Sequence, residues 1–358
     1  MRVYVYVFLS FFILGGGIES YIQNRSKQAT FIWWPEALSH IETIQWYQYL
    51  KNKFKQYGYH LETQDIHPPK DSDIVIWAYP KGDLSDVSDN QYVVGWLMES
   101  PISLKQPLSK EDEQKFDLIL TYRTDLVDNK KSFFVRIFTR ISEIKPEYWQ
   151  TPKKVLVSQI ASNNLGQGYE ERRVAAKWFL ENVPHDFNLY GSGWTRIKAD
   201  LSASGQIVFD EQYKGYVEDK SKAVSESKFV LAYENATQSD YITEKIYDVL
   251  KAGAVPVYLG APNILRHIPK NCFVDKRDFK SYDDLYAFLK NMDDKTYEGY
   301  RHCAYRFVQS DYLKQTYIID RVVQCVFHNK KNDFYDWWNK IRTDVSTFFT
   351  HIWERKYI

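Results

Sequence analysis

Residues 229–260 read FVLAYENATQSDYITEKIYDVLKAGAVPVYLG, and no other part of the chain is as informative about its fold class. The apolar run Phe229–Tyr233 is typical of a buried strand in an α/β sheet. Thr243 is a good helix N-cap, apolar residues then recur at helical spacing, and Gly253 is a stop signal before the strand Ala254–Leu259. The pattern predicts one βαβ crossover, a unit that binds ligands at the carboxyl ends of its strands.

Polar side chains cluster at the carboxyl end of the first of these strands. A helix N-terminus offers free backbone N–H groups and partial positive charge, so the start of this helix is a candidate phosphate site. Lys245 lies in the first helical turn, where a cation opposes the helix dipole unless an anion binds beside it. A solvated lysine in an ordinary crossover is the alternative. The candidate ligand-binding residues are Glu234, Asn235, Tyr241, Thr243, Glu244 and Lys245.

The whole stretch resembles the donor-binding signature of the α1,3/4-fucosyltransferases. In that family a Phe-Glu-Asn-Ser-like loop precedes Asp-Tyr-Ile-Thr-Glu-Lys and an Ala-Gly-Ala-Val-Pro-Val strand. The matching positions here are Tyr233–Ala236, Asp240–Lys245 and Ala252–Val257, with Tyr at 233 and Ala at 236 as mild departures. The resemblance extends weakly over residues 29–310.

This resemblance implies an α/β fold of the GT-B type, with two Rossmann-like lobes facing each other across a cleft, and GDP-fucose as the donor. It implies that Lys245 contacts the diphosphate and that Glu244 contacts the ribose or the sugar. It also implies that Asn235 and Tyr241 line the donor site. Glu234 and Thr243 are candidates by their position in the same motif.

A carboxylate follows a second apolar run, Val93–Leu97. Inverting sugar transfer needs a base for the acceptor hydroxyl, and partial desolvation would raise the pKa of a glutamate towards the useful range. Glu99-Ser100-Pro101 is similar to the family segment whose Glu is the proposed general base, so Glu99 is the candidate catalytic residue. An exposed turn glutamate is the alternative. Nearby, Thr121–Asp125 is similar to a family segment but lacks its final Ser-Asp, which leaves the role of Asp125 open.

The glycine-containing segment Tyr190–Arg196 follows another predicted strand. Its glycines allow the backbone to approach a ligand, and the family carries a basic residue here that meets the diphosphate. Arg196 is the candidate, with Arg172 and Arg173 as competitors from the preceding helix and a surface arginine as the alternative. A guanidinium can bind phosphate in bidentate fashion.

Strands alternate with helices along the rest of the chain, which indicates parallel sheets. Predicted strands are Thr30–Trp34, Asp73–Ala78, Tyr92–Leu97, Phe116–Thr121, Lys154–Gln159 and Phe187–Tyr190, and predicted helices are Thr43–Tyr57 and Glu170–Leu180. We expect an acceptor-binding lobe over 29–150 and a GDP-fucose-binding lobe over 151–330, with a linker bracketed by Pro146 and Pro152.

Composition excludes little. Lys+Arg is 47 against Asp+Glu 46, so the charge balance gives no reason to expect a nucleic-acid partner. Asp71-Ser72-Asp73 has the Asp-x-Asp form of a divalent-ion site but precedes a strand, so a turn is the better interpretation. The resemblance likewise implies no obligatory metal. Cys272, Cys303 and Cys325 form no close pair, and three reduced core thiols are favoured over one disulfide.

Two terminal segments point to a membrane. Residues 3–18 are apolar apart from Ser10, which predicts a short signal-anchor, with a cleaved signal peptide or a core strand as alternatives. Residues 19–28 would be a stem. The aromatic segment 333–358 suits an amphipathic helix on a membrane or packed on the N-terminal lobe. The resemblance implies a Golgi type II protein in a eukaryote, or a cytoplasmic or inner-membrane location in a bacterium.

These inferences lead to one predicted function: an inverting α-(1,3)-fucosyltransferase that moves L-fucose from GDP-β-L-fucose to a GlcNAc-type residue of a glycan. Two alternatives stay open. One is a GT-B transferase with another nucleotide sugar, and the other is a membrane-tethered sugar-binding homologue without catalysis.

Overall fold

The structure is a computed structural model that describes residues 27–32, 45–79, 84–98, 100, 110–135, 144–163, 167–309 and 319–330. The predicted hydrophobic segment 1–18, most of the stem and the aromatic segment 333–358 lie outside these residues. The candidate base Glu99 also lies outside them. Among the helices of the described part, none combines the length and the apolar composition needed to cross a bilayer.

Within the described residues the strands form two sheets. The strands are β1 (Lys27–Ile32), β2 (Tyr59–Thr63), β3 (Ile74–Tyr79), β4 (Tyr92–Leu97), β5 (Leu118–Thr121), β6 (Ser132–Phe134), β7 (Val155–Ile160), β8 (Phe187–Tyr190), β9 (Ser227–Tyr233), β10 (Val255–Leu259) and β11 (Val274–Asp275). One sheet has the order β2-β1-β3-β4-β5-β6 and the other the order β11-β10-β9-β7-β8. β1 runs parallel to β2 and β3, and β9 runs parallel to β7 and β10.

Helices connect the strands, as parallel pairing requires. They are α1 (Gln45–Gln56), α2 (Lys110–Gln114), α3 (Pro146–Trp149), α4 (Gln167–Asn182), α5 (Ala203–Gln212), α6 (Lys220–Ser225), α7 (Glu244–Lys251), α8 (Tyr282–Lys290), α9 (Asp294–Gln309) and α10 (319–330). A 3-10 helix spans Trp194–Asp200.

The β9–α7–β10 unit forms as its sequence pattern predicts. All of Phe229–Tyr233 is buried, and the apolar face of α7 packs Ile246, Val249 and Leu250 into the core. Gly253 ends the unit's helix with φ +71°, a left-handed conformation that favours glycine.

The end of α7 is held by side chains from distant elements. The carbonyl oxygen of Gly253 accepts hydrogen bonds from Lys153 Nζ at 2.9 Å and from Arg301 Nε at 3.1 Å. The Trp149 indole donates to the Lys251 carbonyl at 2.9 Å. The last carbonyls of the helix thus have partners, and the helix is held in one position against α3 and α9.

By its internal contacts the chain divides into two compact units. One contains the described residues up to Val94 together with Asn329 and Lys330, and the other is Gly95–His328. The predicted lobe boundary at residue 150 stays a prediction.

Most predicted elements are present, with ends shifted by a few residues. β4 and β8 have the predicted bounds, while α4 begins earlier and ends later than predicted. β2 was missed, although Tyr59, Leu61 and Thr63 alternate as buried residues with more exposed ones and follow Gly58 at φ +80°. β6 was missed because three residues are too few for a periodic signal.

The expectation of three reduced thiols is wrong. Cys272 and Cys303 form a disulfide with Cα atoms 4.9 Å apart, and Cys325 is free and buried. The pair is 31 residues apart in sequence, so spacing gave no signal. The 3-10 turn that contains Cys272 packs on α9, and that packing brings Cys303 within reach.

Candidate functional site

A cavity of about 930 Å³ opens at the carboxyl ends of β7, β8 and β9. This is where open α/β sheets bind ligands. Its wall combines cationic, acidic, aromatic and small residues. They are Lys145, Tyr148, Ile160, Ala161, Ser162, Tyr169, Arg172, Gly191, Ser192, Tyr216, Val217, Glu218, Asp219, Lys220, Ser221, Asn235, Glu244 and Lys245.

Glu234 holds the loop between β9 and α7 beside this cavity. Its side chain is fully buried, with 0% exposed. One carboxylate oxygen accepts the backbone N–H of Thr243 at 2.8 Å, and the other accepts the Thr243 hydroxyl at 2.7 Å. Thr243 is the N-cap residue of α7, but its side chain makes no capping bond to the helix. It binds Glu234 instead, so these two candidates shape the loop and do not line the cavity.

Lys245 reaches the cavity from the first turn of α7. Its Nζ donates to Thr243 Oγ1 at 2.7 Å and lies 3.2 Å from Glu234 Oε2 and 3.5 Å from Glu244 Oε1. Burial acts to lower the pKa of Lys245, but Glu234 and Glu244 outweigh it and the net shift is upward. Lys245 is therefore a fixed positive charge, and its side chain keeps 18% of its surface exposed.

Arg172 supplies a second cation to the same wall. Its side chain is buried and donates from Nε at 3.1 Å, and again from Nη2, to the Tyr233 carbonyl. Nη2 also donates to Asn235 Oδ1 at 2.7 Å, which orients that amide. Burial lowers the pKa of Arg172, although Glu234 acts in the other direction, and a guanidinium stays charged in proteins. Within the described residues its Nη1 has no partner, and the guanidinium lies 4.8 Å from the Tyr169 ring centroid.

The structure separates the other candidates from this cavity. Arg196 is exposed on the 3-10 helix and is not part of the cavity wall. Arg173 binds Glu170, again outside the wall. Tyr241 is buried with its ring 5.5 Å from that of Tyr122, in an edge-on contact. The roles predicted for Arg196 and Tyr241 stay predictions.

A segment that sequence reasoning missed also lines the cavity. It is Tyr216–Ser221, which comprises the end of the connection after α5 and the first two residues of α6. Tyr216 is 83% exposed, and Asp219 caps α6 while accepting the Tyr148 hydroxyl at 2.8 Å. An Asp before a helical segment was a usable signal for the helix start. Nothing in the local pattern showed that this segment would line the same cavity as Asn235 and Lys245.

The part of the chain that the structure describes contains no cluster of metal ligands. Within the described residues, no group of three or more histidine, cysteine or acidic side chains is placed to hold a metal ion. In the Asp-x-Asp segment, Asp71 ends a 3-10 turn and Asp73 accepts the Gln28 backbone N–H at 2.9 Å, so Asp73 supports the start of β1.

Comparison with known protein families gives one match. The sequence model of the family described as "Glycosyltransferase family 10 (fucosyltransferase) C-term" matches residues 151–329, which are half of the chain. This range contains most of the residues that line the cavity.

Curated relatives carry related names. A mouse 4-galactosyl-N-acetylglucosaminide 3-alpha-L-fucosyltransferase 9 is 31% identical over 214 residues, which are 57% of this chain and 51% of that protein. An Arabidopsis thaliana alpha-(1,4)-fucosyltransferase is 37% identical over 136 residues, which are 36% of this chain and 34% of that protein. The chain spans about half the length of the first of these relatives.

Solved structures identify the fold. An alpha1,3-fucosyltransferase with GDP has a TM-score of 0.52 at 17% identity, covering 78% of this chain and 82% of that one. An alpha-glucosyltransferase in complex with UDP and DNA has a TM-score of 0.51 at 13% identity, covering 82% and 99%. The predicted GT-B fold, built from two α/β domains with parallel sheets, is confirmed.

The cavity wall at β8 requires glycine at position 191. We expect Gly191→Ala to reduce the free energy of unfolding by more than about 2 kcal/mol, because φ is +113° and a Cβ would lie 2.0 Å from the Ala161 carbonyl oxygen. Gly215→Ala is the matched control, since φ is +69° but nothing lies within 4 Å. It should cost only about 1–2 kcal/mol. Chemical denaturation measures both, and equal losses would contradict a tight contact at Gly191.

Proposed function

This chain belongs to glycosyltransferase family 10, the fucosyltransferases, and from this we propose that it transfers L-fucose from GDP-β-L-fucose to a hydroxyl of a GlcNAc-type residue in a glycan. The observation that carries the proposal is the placement of Lys245 and Arg172 together in one cavity wall at the carboxyl ends of parallel strands. Two cations and a helix N-terminus suit a diphosphate.

The diphosphate is proposed to bind between these two cations. Lys245 is held in place by Thr243 and Glu234, so its ammonium group needs little reorganisation when an anion arrives. Arg172 offers Nη1 while its other nitrogens hold the Tyr233 carbonyl and Asn235. Both cations would offset the negative charge that develops on GDP as it leaves. Arg196 stays a candidate for a contact outside this wall.

The nucleoside is proposed to occupy the side of the cavity formed by Tyr216–Ser221. Glu244 lines the cavity beside Lys245, where its carboxylate can accept a ribose or sugar hydroxyl. Tyr216 presents an exposed ring, and aromatic faces suit stacking on a base. Asn235, oriented by Arg172, supplies an amide at the strand end.

Glu99 is the proposed general base. It takes the proton of the acceptor hydroxyl while that oxygen forms a bond to C1 of fucose. The bond from C1 to the β-phosphate oxygen breaks, and GDP leaves from the opposite face. One displacement inverts the anomeric centre, so β-linked GDP-L-fucose yields an α-L-fucoside. Ser100, the next residue in sequence, is buried.

The proposed linkage and acceptor rest on the names of relatives. The mouse relative is named for a 3-linked fucose on a galactosyl-N-acetylglucosaminide, which favours the α-(1,3) product. The Arabidopsis relative is named for the 1,4 linkage, so product analysis decides between them. Membrane attachment through residues 3–18, and the absence of an obligatory metal, stay predictions.

The donor assignment is tested with a donor panel. We expect GDP binding and transfer from GDP-fucose, and no transfer from GDP-mannose or UDP-sugars. Lys245→Ala should weaken GDP binding by about tenfold to a hundredfold, because a hydrogen bond to a charged group contributes roughly 1.5–3 kcal/mol. Calorimetric titration measures the Kd, with Lys251→Ala at the other end of α7 as the control. Transfer from a UDP-sugar alone would overturn the donor, and unchanged GDP binding by folded Lys245→Ala would remove this lysine from the site.

The base assignment has a separate test. Glu99→Gln should lower kcat by about 10²–10⁴-fold, since a general base contributes that much, and should leave the Kd for GDP nearly unchanged. Glu111→Gln, an exposed glutamate of α2, is the matched control. Turnover near the wild-type rate by Glu99→Gln, or a β-linked product by NMR, would refute a single displacement with Glu99 as base.

A further inference from the structure

The loop between β9 and α7 is fixed by a buried aspartate that the function described above does not use. Asp240 has φ +63°, an uncommon backbone conformation for a residue other than glycine. Its carboxylate accepts hydrogen bonds from Asn263 Nδ2 at 2.7 Å and from Thr124 Oγ1 at 2.6 Å, and it contacts His267 Nε2 at 2.9 Å. Its backbone N–H donates to Asn263 Oδ1 at 2.8 Å.

These contacts keep the Asp240 carboxylate ionised. Burial acts to raise the pKa of Asp240, but the hydrogen bonds from Thr124, His267 and Asn263 outweigh it and the net shift is downward. Because Thr124 follows β5, this carboxylate already joins the loop to a strand end of the other sheet.

Gln238, two residues earlier in the same loop, makes a second connection between this loop and the other sheet. Its Oε1 accepts the Ser100 hydroxyl at 2.9 Å and the Tyr122 hydroxyl at 3.0 Å. Ser100 follows β4 and Tyr122 follows β5, so one amide oxygen joins the ends of two neighbouring strands. Ser100 and the Tyr122 ring are both buried.

Ser100 is the residue next to the proposed base. Gln238 lies three residues after Asn235 in the loop between β9 and α7, which is called the proposed donor loop below. The hydrogen bond from the Ser100 hydroxyl to Gln238 restrains the residue that is covalently next to the proposed base. Displacement of a catalytic group by about 1 Å can cost on the order of a hundredfold in rate.

We propose that Gln238 is a positioning residue: its side-chain oxygen ties the donor loop to Ser100 and thereby sets the position of the base relative to the donor. This rests on the function proposed above. The tie uses only the acceptor capacity of one oxygen, and a carboxylate at the same place accepts the same two hydroxyl hydrogens.

This property gives a pair of nearly isosteric variants. Gln238→Met keeps the length of the side chain and removes the acceptor. Gln238→Glu keeps both the length and an acceptor oxygen. Ser239→Ala, at an exposed neighbour in the same loop, is the control for a general effect on the loop.

We expect Gln238→Met to lower kcat by about tenfold to a hundredfold through misplacement of the base. The Kd for GDP should change by less than about threefold, because no hydrogen bond to the nucleotide is lost. Gln238→Glu should retain most of the wild-type kcat, and Ser239→Ala should match wild type. Steady-state kinetics with GDP-fucose and calorimetric titration with GDP give the two numbers.

A second measurement tests the hydrogen bonds of Gln238 to Ser100 and Tyr122 in the absence of substrate. Amide hydrogen exchange over residues 118–124 should speed up in Gln238→Met and not in Gln238→Glu. Equal kcat in the Met and Glu variants, or parallel loss of kcat and GDP affinity, would overturn the positioning role. A wild-type protein that transfers no fucose would refute the proposed function instead, and the exchange measurement would still report on the tie.

Discussion

The loop between β9 and α7 depends on one buried carboxylate, that of Glu234. A charge with no exposed surface is costly unless hydrogen bonds and an opposite charge compensate it, and here Thr243 supplies the bonds and Lys245 the charge. This requirement fixes the start of α7 against the end of β9. Lys245, the cation of the proposed diphosphate site, is held in place by the Glu234 carboxylate and by the Thr243 hydroxyl that binds the same carboxylate.

The space around Glu234 carries further constraints. A Cβ at Gly260 would lie 2.5 Å from Glu234 Cγ and 2.5 Å from the Tyr258 hydroxyl, so the strand after α7 leaves no room for a side chain there. On the other side, Arg172 binds the carbonyl of Tyr233, the residue just before Glu234. The loop is thus held from β10 by close packing and from α4 by a guanidinium.

The charged side chains in and around this loop have different structural roles. Glu234 and Asp240 are buried acceptors that shape the backbone, while Lys245 and Arg172 face the cavity. Gln238 lies between Glu234 and Asp240 in sequence. Its side-chain oxygen accepts the hydroxyls of Ser100 and Tyr122, which follow strands of the other sheet. A polar residue in such a loop therefore has one of three tasks: to hold the backbone, to meet the ligand, or to join the loop to the strands of the other sheet.

The β9–α7–β10 unit could be predicted from sequence alone, because strand and helix periodicity, the N-cap and the stop glycine all act within a few residues. The same local pattern predicted that Asn235, Glu244 and Lys245 lie together, and all three line one cavity. The arginine that lines this cavity with them follows from the packing of elements that are distant in sequence. Arg172 lies 63 residues before Asn235 and reaches it because β7 and β9 are neighbours in the sheet, whereas Arg196 follows β8 and is not part of the cavity wall.

The disulfide, the place of Tyr216–Ser221 in the cavity wall and the contacts of Gln238 could not be predicted from sequence for the same reason. Each depends on which elements become neighbours across the fold, and a local pattern of residues carries no record of that order.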